Sequence, residues 1–513
     1  MQFLSQSYAA LLTKLNAICQ LKRCQSILSY DQMVFMPKNS QTASERGAQL
    51  SALAELIHEK STDKEIMNLI QQAKKDLLAL EDNDTTTSLE DEARVLEIET
   101  KSFLELERVP ASLAAKRAAL SSKAHQAWAT ARTNNDFPSF EPVLKDCFQT
   151  AMEIADAKRG GEETTLYNQM LEEYETGMPV ERIDEIFQRI QESLVPLISK
   201  VLASPYKPCT KPLHGHFPVE KQKEMGQKIV KAIGFHEDFG RIDVSVHPFT
   251  SSSSTYDVRI TSRFSENEWK EGLIGTIHEA GHAIYEQNLK PSVLQIDSAL
   301  SMGTHESQSL FWERHIGKSK EFWQWATPLL KASFEEEFES YSPEDFYEAI
   351  NGVSPGFIRV EADELTYPLH VIVRYHIEKD VVDGKLDVKD IPKRWNDDMA
   401  SFLNVVVPSD TLGCLQDVHW SAMAIGYFPT YLIGSSTAAQ LAHYCAKDIP
   451  DMKELVARGE FSTIREWLTD KVHRHGMRYK SLDDLLEAQL GEKLNPQYFI
   501  DYITDKYTTI NRC

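Results

Sequence analysis

Along most of the chain, apolar residues return every three to four positions, the spacing of one face of an α-helix. In residues 1–24 the positions Leu4, Tyr8, Leu11, Leu12, Leu15 and Ile18 keep that rhythm. Residues 44–59, 63–80 and 88–106 continue it. Residues 111–133 are rich in alanine, the strongest helix former, and 139–157 and 180–203 read as further helices. The pattern breaks at about 204–264. Pro205, Pro208, Pro212, Pro218 and Pro248 interrupt it, and Tyr256-Asp-Val-Arg-Ile-Thr261 leans towards β, which predicts loops and a short strand or hairpin. Helical periodicity resumes near 265. There Ser265-Glu-Asn-Glu268 has the form of a capping box, and Trp269, Leu273 and Ile277 begin a new apolar stripe. The pattern predicts a mostly α protein, one large helical domain over 1–513, with a small β element near mid-chain. No internal repeat or interdomain linker interrupts it.

Composition narrows the function classes. Hydrophobic residues make up 42% of the 513, enough for a sizeable core and too many for a disordered chain. Lys and Arg number 55 against 77 Asp and Glu, a net charge of −22. Such a chain is poorly suited to neutralise nucleic-acid phosphates or to cling to anionic lipid, so neither partner is expected. Cys19, Cys24, Cys147, Cys209, Cys414, Cys445 and Cys513 are widely spaced and include no C-x-x-C pair, which argues against both a disulfide framework and a cysteine zinc site. The N-terminal segment reads as an amphipathic helix rather than a signal peptide, and no run reaches the ~18 apolar residues of a membrane span. The expected compartment is the cytoplasm.

The sharpest chemical signal is His278-Glu279-Ala-Gly-His282. Residues four apart share a helix face, so both imidazoles can reach one metal ion. Glu279 is turned about 100° from His278 around the axis and can address a bound water without ligating the metal. A third protein ligand leaves one open position for water. It is sought in the helix-like segment Gly303-Thr-His-Glu306-Ser-Gln-Ser-Leu-Phe-Trp-Glu313, with Glu306 the first choice, His305 and Glu313 the alternatives and Glu286 a weaker one. Two other histidine pairs, His214-Gly-His216 and His473-Arg-His475, read as surface.

These residues carry a specific resemblance over nearly the whole chain. His278–His282, His305-Glu306-Ser307-Gln308, Asp257-Val-Arg259-Ile-Thr261, Ile358-Arg359-Val-Glu-Ala362-Asp363 and Gly413-Cys-Leu-Gln416-Asp417-Val-His419-Trp420 occur in the order found in the M32 family of metallocarboxypeptidases, the carboxypeptidase Taq family. His247-Pro-Phe, Glu364-Leu-Thr-Tyr-Pro-Leu-His370 and Gly426-Tyr-Phe-Pro-Thr-Tyr431 match as well. Tyr30 departs from the family's Trp-Asp-Gln. The resemblance implies a saddle-shaped, gluzincin-like helical fold with a deep substrate groove. In it, N-terminal helices of about 1–110 partly cover the groove, and about 265–435 form the metal and substrate-binding core. It also implies a homodimer and one divalent metal held by His278, His282 and Glu306. Zn²⁺ is the expected ion, with Co²⁺ compatible. The implied activity is broad removal of C-terminal residues from peptides, with terminal proline resisted.

Peptide hydrolysis by this set would use Glu279 to take a proton from metal-bound water and deliver it to the leaving amine. A tetrahedral oxyanion wants a further donor, for which Tyr427 is preferred over Tyr431 and His419. The substrate's free α-carboxylate suits the planar fork of arginine. Arg359 is the first choice and Arg259 the second, assisted by His419 and Gln416, with an ion pair to Asp363 as the alternative role for Arg359. Asp257, Asp363 and Asp417 are read as partners of ligand imidazoles or as caps. The rival functions are an endo- or oligopeptidase of the same chemistry and an inactive helical scaffold. Retention of Glu279 argues against the scaffold, because a structural zinc site needs no general base.

Overall fold

The computed structural model describes residues 5–79 and 86–513, which fall into two compact units. Leu4 and Leu80, at the ends of two predicted helices, lie outside the described residues. Each unit is assembled from separated stretches of chain. That is why no linker is visible in the sequence.

The first unit comprises Met1–Arg108, Gly215–Leu300 and Arg458–Lys480. It opens with α1 (Gln6–Val34), α2 (Ser40–Ser61), α3 (Lys64–Leu78) and α4 (Thr86–Arg108), at the places the periodicity predicted. The side chains of Ser5, Asn39 and Asp63 accept from the N–H groups of Tyr8, Thr42 and Glu65 and so cap the first three helices. The apolar stripe is the buried face: Leu11, Leu15 and Ile18 share one cluster with Ile66, Ile70, Val95, Leu96 and Phe103.

The proline-rich stretch holds more structure than loops and a hairpin. Two of its elements correct the expectation. One is α9 (Val219–Ile233), whose Met225, Ile229, Val230 and Ile233 are buried at helical spacing, a signal the surrounding prolines obscured. The other is a three-stranded sheet of β1 (Gly240–Val244), β2 (Thr250–Ser254) and β3 (Asp257–Ser262). The central β3 pairs antiparallel with β2, as a hairpin does, and parallel with β1, Gly240 facing Val258. β3 buries Val258 and Ile260 completely and packs on α10 (Lys270–Asn288), the helix carrying the histidine motif.

Two further expectations are corrected here. The capping box does not form: Ser265 and Glu268 make an isolated β-bridge, and the Glu268 carboxylate accepts from the N–H groups of Lys270 and Glu271. His473 is not a surface residue. It lies after α19 (Ser462–Lys471), is fully buried, and has its ring 5.1 Å from that of Tyr285 on α10. His214 and His216 are exposed.

The second unit comprises Val109–His214, Ser301–Ala457 and Ser481–Cys513. Its helices are α5 (Ala111–Asn134), α6 (Phe137–Arg159), α7 (Leu166–Leu171), α8 (Val180–Ala203), α11 (Met302–Leu310), α12 (Lys320–Ser333), α13 (Glu335–Phe338), α14 (Pro343–Ile350), α15 (Tyr367–Val382), α16 (Ile391–Leu403), α17 (Pro429–Asp448), α18 (Met452–Arg458), α20 (Leu482–Leu490) and α21 (Gln497–Asn511). A π-helical turn, Phe311–Gly317, follows α11 directly. α15 is buried on all sides, so it shows no apolar stripe. α17 presents the small residues Gly434, Ser435 and Ser436, and α11 packs closely against it. Among the described residues, no helix is long and apolar enough to cross a membrane.

Candidate metal centre and active site

His278 and His282 stand one turn apart on α10 with ring centroids 5.0 Å apart. With Glu306 of α11 they each offer one donor atom, and the three atoms lie within 4.8 Å of one another. Two imidazole nitrogens and a carboxylate oxygen are the donor set of catalytic zinc, and a group of this composition could hold one metal ion. The residues therefore fit a divalent metal. Ser309 Oγ donates to the Glu306 carbonyl at 2.7 Å and lies 3.1 Å from Glu306 Oε2. The alternatives His305, Glu286 and Glu313 are not part of the group, and Glu313 is paired with Lys318 at 2.5 Å.

Glu279 is 7% exposed. Thr250, the first residue of β2, donates its hydroxyl to Glu279 Oε2 at 2.6 Å. The sheet thus holds one carboxylate oxygen of Glu279 in place. The sequence signal for Thr250 was its position after His247-Pro-Phe, which named no role.

Arg359 lies in a buried charged cluster. Its Nε and Nη2 donate to Asp417 Oδ1 at 3.1 and 3.0 Å, and its Nη1 donates to the Tyr367 hydroxyl at 3.3 Å. Arg374 donates through Nε to Asp417 Oδ2 at 2.6 Å. Burial would raise the Asp417 carboxyl, but the Arg374 and Arg359 guanidiniums hold it well below the usual carboxylate range. The expected alternative partner, Asp363, instead accepts from the N–H groups of Ser354, Leu365 and Thr366 and holds the turn that precedes α15. Gln416 is spent on the scaffold: Oε1 accepts from Arg359 N and Arg374 Nη2, and Nε2 donates to the carbonyls of Phe357, Leu412 and Gly413. Sequence reasoning missed Arg374, which lies in none of the quoted motifs.

His419 Nε2 is 3.2 Å from the Tyr431 hydroxyl, while its buried Nδ1 has no hydrogen-bond partner among the described residues. Burial pushes the imidazole down to about 4, so it is neutral at pH 7. Tyr427 packs edge-on against Tyr174, with centroids 5.1 Å apart, and against Tyr431. Burial, reinforced by the Glu306 carboxylate, raises the Tyr427 hydroxyl well above its ordinary value and keeps it a donor. Arg259, the second candidate for carboxylate binding, is bound to Asp257 through Nε at 2.7 Å and Nη2 at 2.9 Å and lies over the Tyr30 ring. Tyr30 is 2% exposed and donates to Asp243 at 2.6 Å, so the departure from Trp carries a hydrogen bond that an indole N–H would have to replace.

Gly434 is a further residue the motifs did not mark. A Cβ there would lie 2.7 Å from Glu306 Cγ and 2.8 Å from Glu306 Cβ. Gly434→Ala is therefore expected to displace the Glu306 side chain and, if Glu306 is a ligand, to weaken metal binding by about 10–100-fold, the scale seen when support of a ligand is lost. A competition titration against a chromogenic chelator measures it, and wild-type affinity would show that Glu306 can yield without cost.

The comparisons with known proteins identify the family. The family model for the carboxypeptidase Taq (M32) metallopeptidases matches residues 10–507, a span that includes sequence of both units. Carboxypeptidase 1 of Bacillus subtilis (strain 168) is 38% identical over 502 residues, 97% of each chain. Thermostable carboxypeptidase 1 of Pyrococcus furiosus is 35% identical, covering 98% of this chain and 99% of its own. The crystal structure of the M32 carboxypeptidase from Deinococcus radiodurans R1 matches with a TM-score of 0.93 at 30% identity, over 99% of this chain and 100% of that one. With a family model matched over residues 10–507 and relatives aligned along nearly all of its length, the chain belongs to the M32 family and is a metal-dependent carboxypeptidase acting on peptides.

Proposed function

We propose that the enzyme removes C-terminal residues of broad identity using one Zn²⁺ held by His278, His282 and Glu306, with Glu279 as the proton carrier. The observation that carries this reading is the clustering of the three donors, with Glu279 next to His278 on the same helix. A bound divalent ion supplies Lewis acidity, lowering the pKa of a coordinated water from 15.7 towards ~7 and polarising a carbonyl. The free oxygen of Glu279 takes a proton from the attacking water, while Thr250 holds the other oxygen. The same carboxyl returns the proton to the amine nitrogen as the C–N bond breaks. Tyr427 donates its hydroxyl to the tetrahedral oxyanion. Its support is a hydroxyl kept protonated and free of hydrogen bonds among the described residues, whereas Tyr431 is engaged with His419.

For the substrate carboxylate we assign Arg359. After its bonds to Asp417 and Tyr367 it retains one N–H on each terminal nitrogen, which is the bidentate fork a carboxylate needs. Two guanidiniums facing one carboxylate leave the trio cationic, and the unpartnered His419 Nδ1 offers a further donor. Arg259 remains the second choice.

A timed mass-spectrometric digest of paired peptides, free and amidated at the C-terminus, tests the reading. Stepwise loss of single residues from the free acid is expected, abolished by a chelator and restored by Zn²⁺. Internal cleavage of both peptides would replace it with an endopeptidase. Restoration by Co²⁺ but not by Zn²⁺ would change the metal.

A further inference from the structure

We propose that Glu175, with Tyr174 beside it, is the positioning residue that fixes the start of α11 and thereby the direction in which Glu306 is presented. The inference rests on reading Glu306 as a metal ligand.

The first N–H groups of a helix have no partner within it and must be satisfied from outside. In α11 the first three, on Met302, Gly303 and Thr304, each have such an acceptor, and the fourth, on His305, makes the first ordinary helical bond. Thr304 N–H is taken by the Ser301 side chain at 3.0 Å and His305 N–H by the Ser301 carbonyl at 3.0 Å. The other two are taken by a segment more than a hundred residues away in sequence. Met302 N–H donates to the Tyr174 carbonyl at 2.9 Å, and Gly303 N–H donates to Glu175 Oε1. Two consecutive N–H groups on two consecutive residues fix both the position and the rotation of the helix end. Glu306 follows Gly303 by three residues, about 4.5 Å along the axis at 1.5 Å per residue.

The strap is itself rigid. Tyr174 and Glu175 donate their N–H groups to the Leu171 carbonyl at 2.9 and 2.7 Å. Gly177, at φ 70°, donates to the Glu172 side chain at 3.0 Å and closes the turn. The ring of Tyr174 packs against Tyr427, so one short segment braces both the metal-ligand helix and the proposed oxyanion donor.

Two details set this contact apart from an ordinary cap. Glu175 is 1% exposed, and its second oxygen, Oε2, has no hydrogen-bond partner among the described residues. Burial pushes the carboxyl up to about 8. The approach also requires glycine at position 303, where a Cβ would lie 2.6 Å from Glu175 Oε1 and 2.9 Å from Oε2. Acceptor and glycine form a matched pair that neither the histidine motif nor His305-Glu306-Ser307-Gln308 discloses.

The test uses the full-length enzyme loaded with Zn²⁺ and challenged with excess chelator, with zinc release followed by a colorimetric indicator. Glu175→Ala is expected to release zinc about 10–100-fold faster than wild type. It is also expected to lower kcat on a free-acid peptide while KM changes less than about threefold. Glu175→Gln retains a carbonyl acceptor for Gly303 N–H and should stay within about threefold of wild type in both readouts. If Glu175→Ala does not fold, Gly303→Ala, which forces the carboxyl away from the opposite side, should reproduce the fast release. Wild-type zinc release from Glu175→Ala or Gly303→Ala overturns the inference, as does equal damage from Ala and Gln at position 175. Glu306→Ala is the control that separates the two readings. Zinc retained by Glu306→Ala removes Glu306 as a ligand, whereas zinc lost there but kept by Glu175→Ala removes only the strap.

Discussion

Glu279→Gln is expected to lower kcat by about 10²–10⁴-fold, the range that a positioned general acid–base contributes, while leaving zinc content and the fold unchanged. The substitution is nearly isosteric. Its amide oxygen can still accept from Thr250, which now donates to Glu279 Oε2, so the side chain keeps its place. The remaining amide nitrogen cannot take a proton from water, and the step that generates the nucleophile loses its base. Steady-state kinetics on a free-acid peptide, with zinc measured on the same sample, checks this. A kcat within tenfold of wild type at full zinc occupancy would assign the proton transfer to another group.

The largest effect on stability is expected from Asp417→Asn, at about 3–5 kcal/mol, the usual cost of removing one partner from a buried ion pair. Arg359 and Arg374, with side chains 6% and 0% exposed, would be left facing each other without a carboxylate between them. Denaturant unfolding of the zinc-loaded protein gives the number. A loss under 1 kcal/mol would mean that the two guanidiniums are neutralised by something else. Replacing Arg374 by Met in the same background should recover part of the loss, because it removes one uncompensated charge. The pH dependence has a defined sign. The Asp417 carboxyl is depressed in the folded protein, so its contribution is fully present above the unfolded value near ~3.9 and is lost as pH falls below it.

Periodicity located α1, α3, α4, α6 and α8 because each buries one face against a neighbour, and such a stripe is a local property of sequence. It failed where burial is not one-sided. α15 is enclosed all round and shows no stripe. β1 owes its place to parallel pairing with β3, a contact that no local pattern encodes. The Ser265-Glu-Asn-Glu268 box had the right letters, yet Ser265 bridges to Glu268 and the helix begins at Lys270. A cap depends on the backbone conformation of the residue before the helix, which the letters do not specify.

At the site, the spacing of His278 and His282 was sufficient to place two imidazoles on one helix face, and the five ordered motifs were sufficient to name the family. Both are properties of short segments whose geometry the backbone period dictates. For the third donor the sequence ranked Glu306 ahead of His305, Glu313 and Glu286, and among the described residues the group that could hold a metal comprises His278, His282 and Glu306. Tertiary structure alone decided that Arg359 pairs with Asp417 and not Asp363, that Gln416 is consumed by the scaffold, that Gly434 lies against Glu306, and that Thr250 and Glu175 bond Glu279 and Gly303. Each of these contacts joins residues far apart in sequence. Their distances are set by how helices and strands pack, a property of the whole assembled chain that no window of sequence contains.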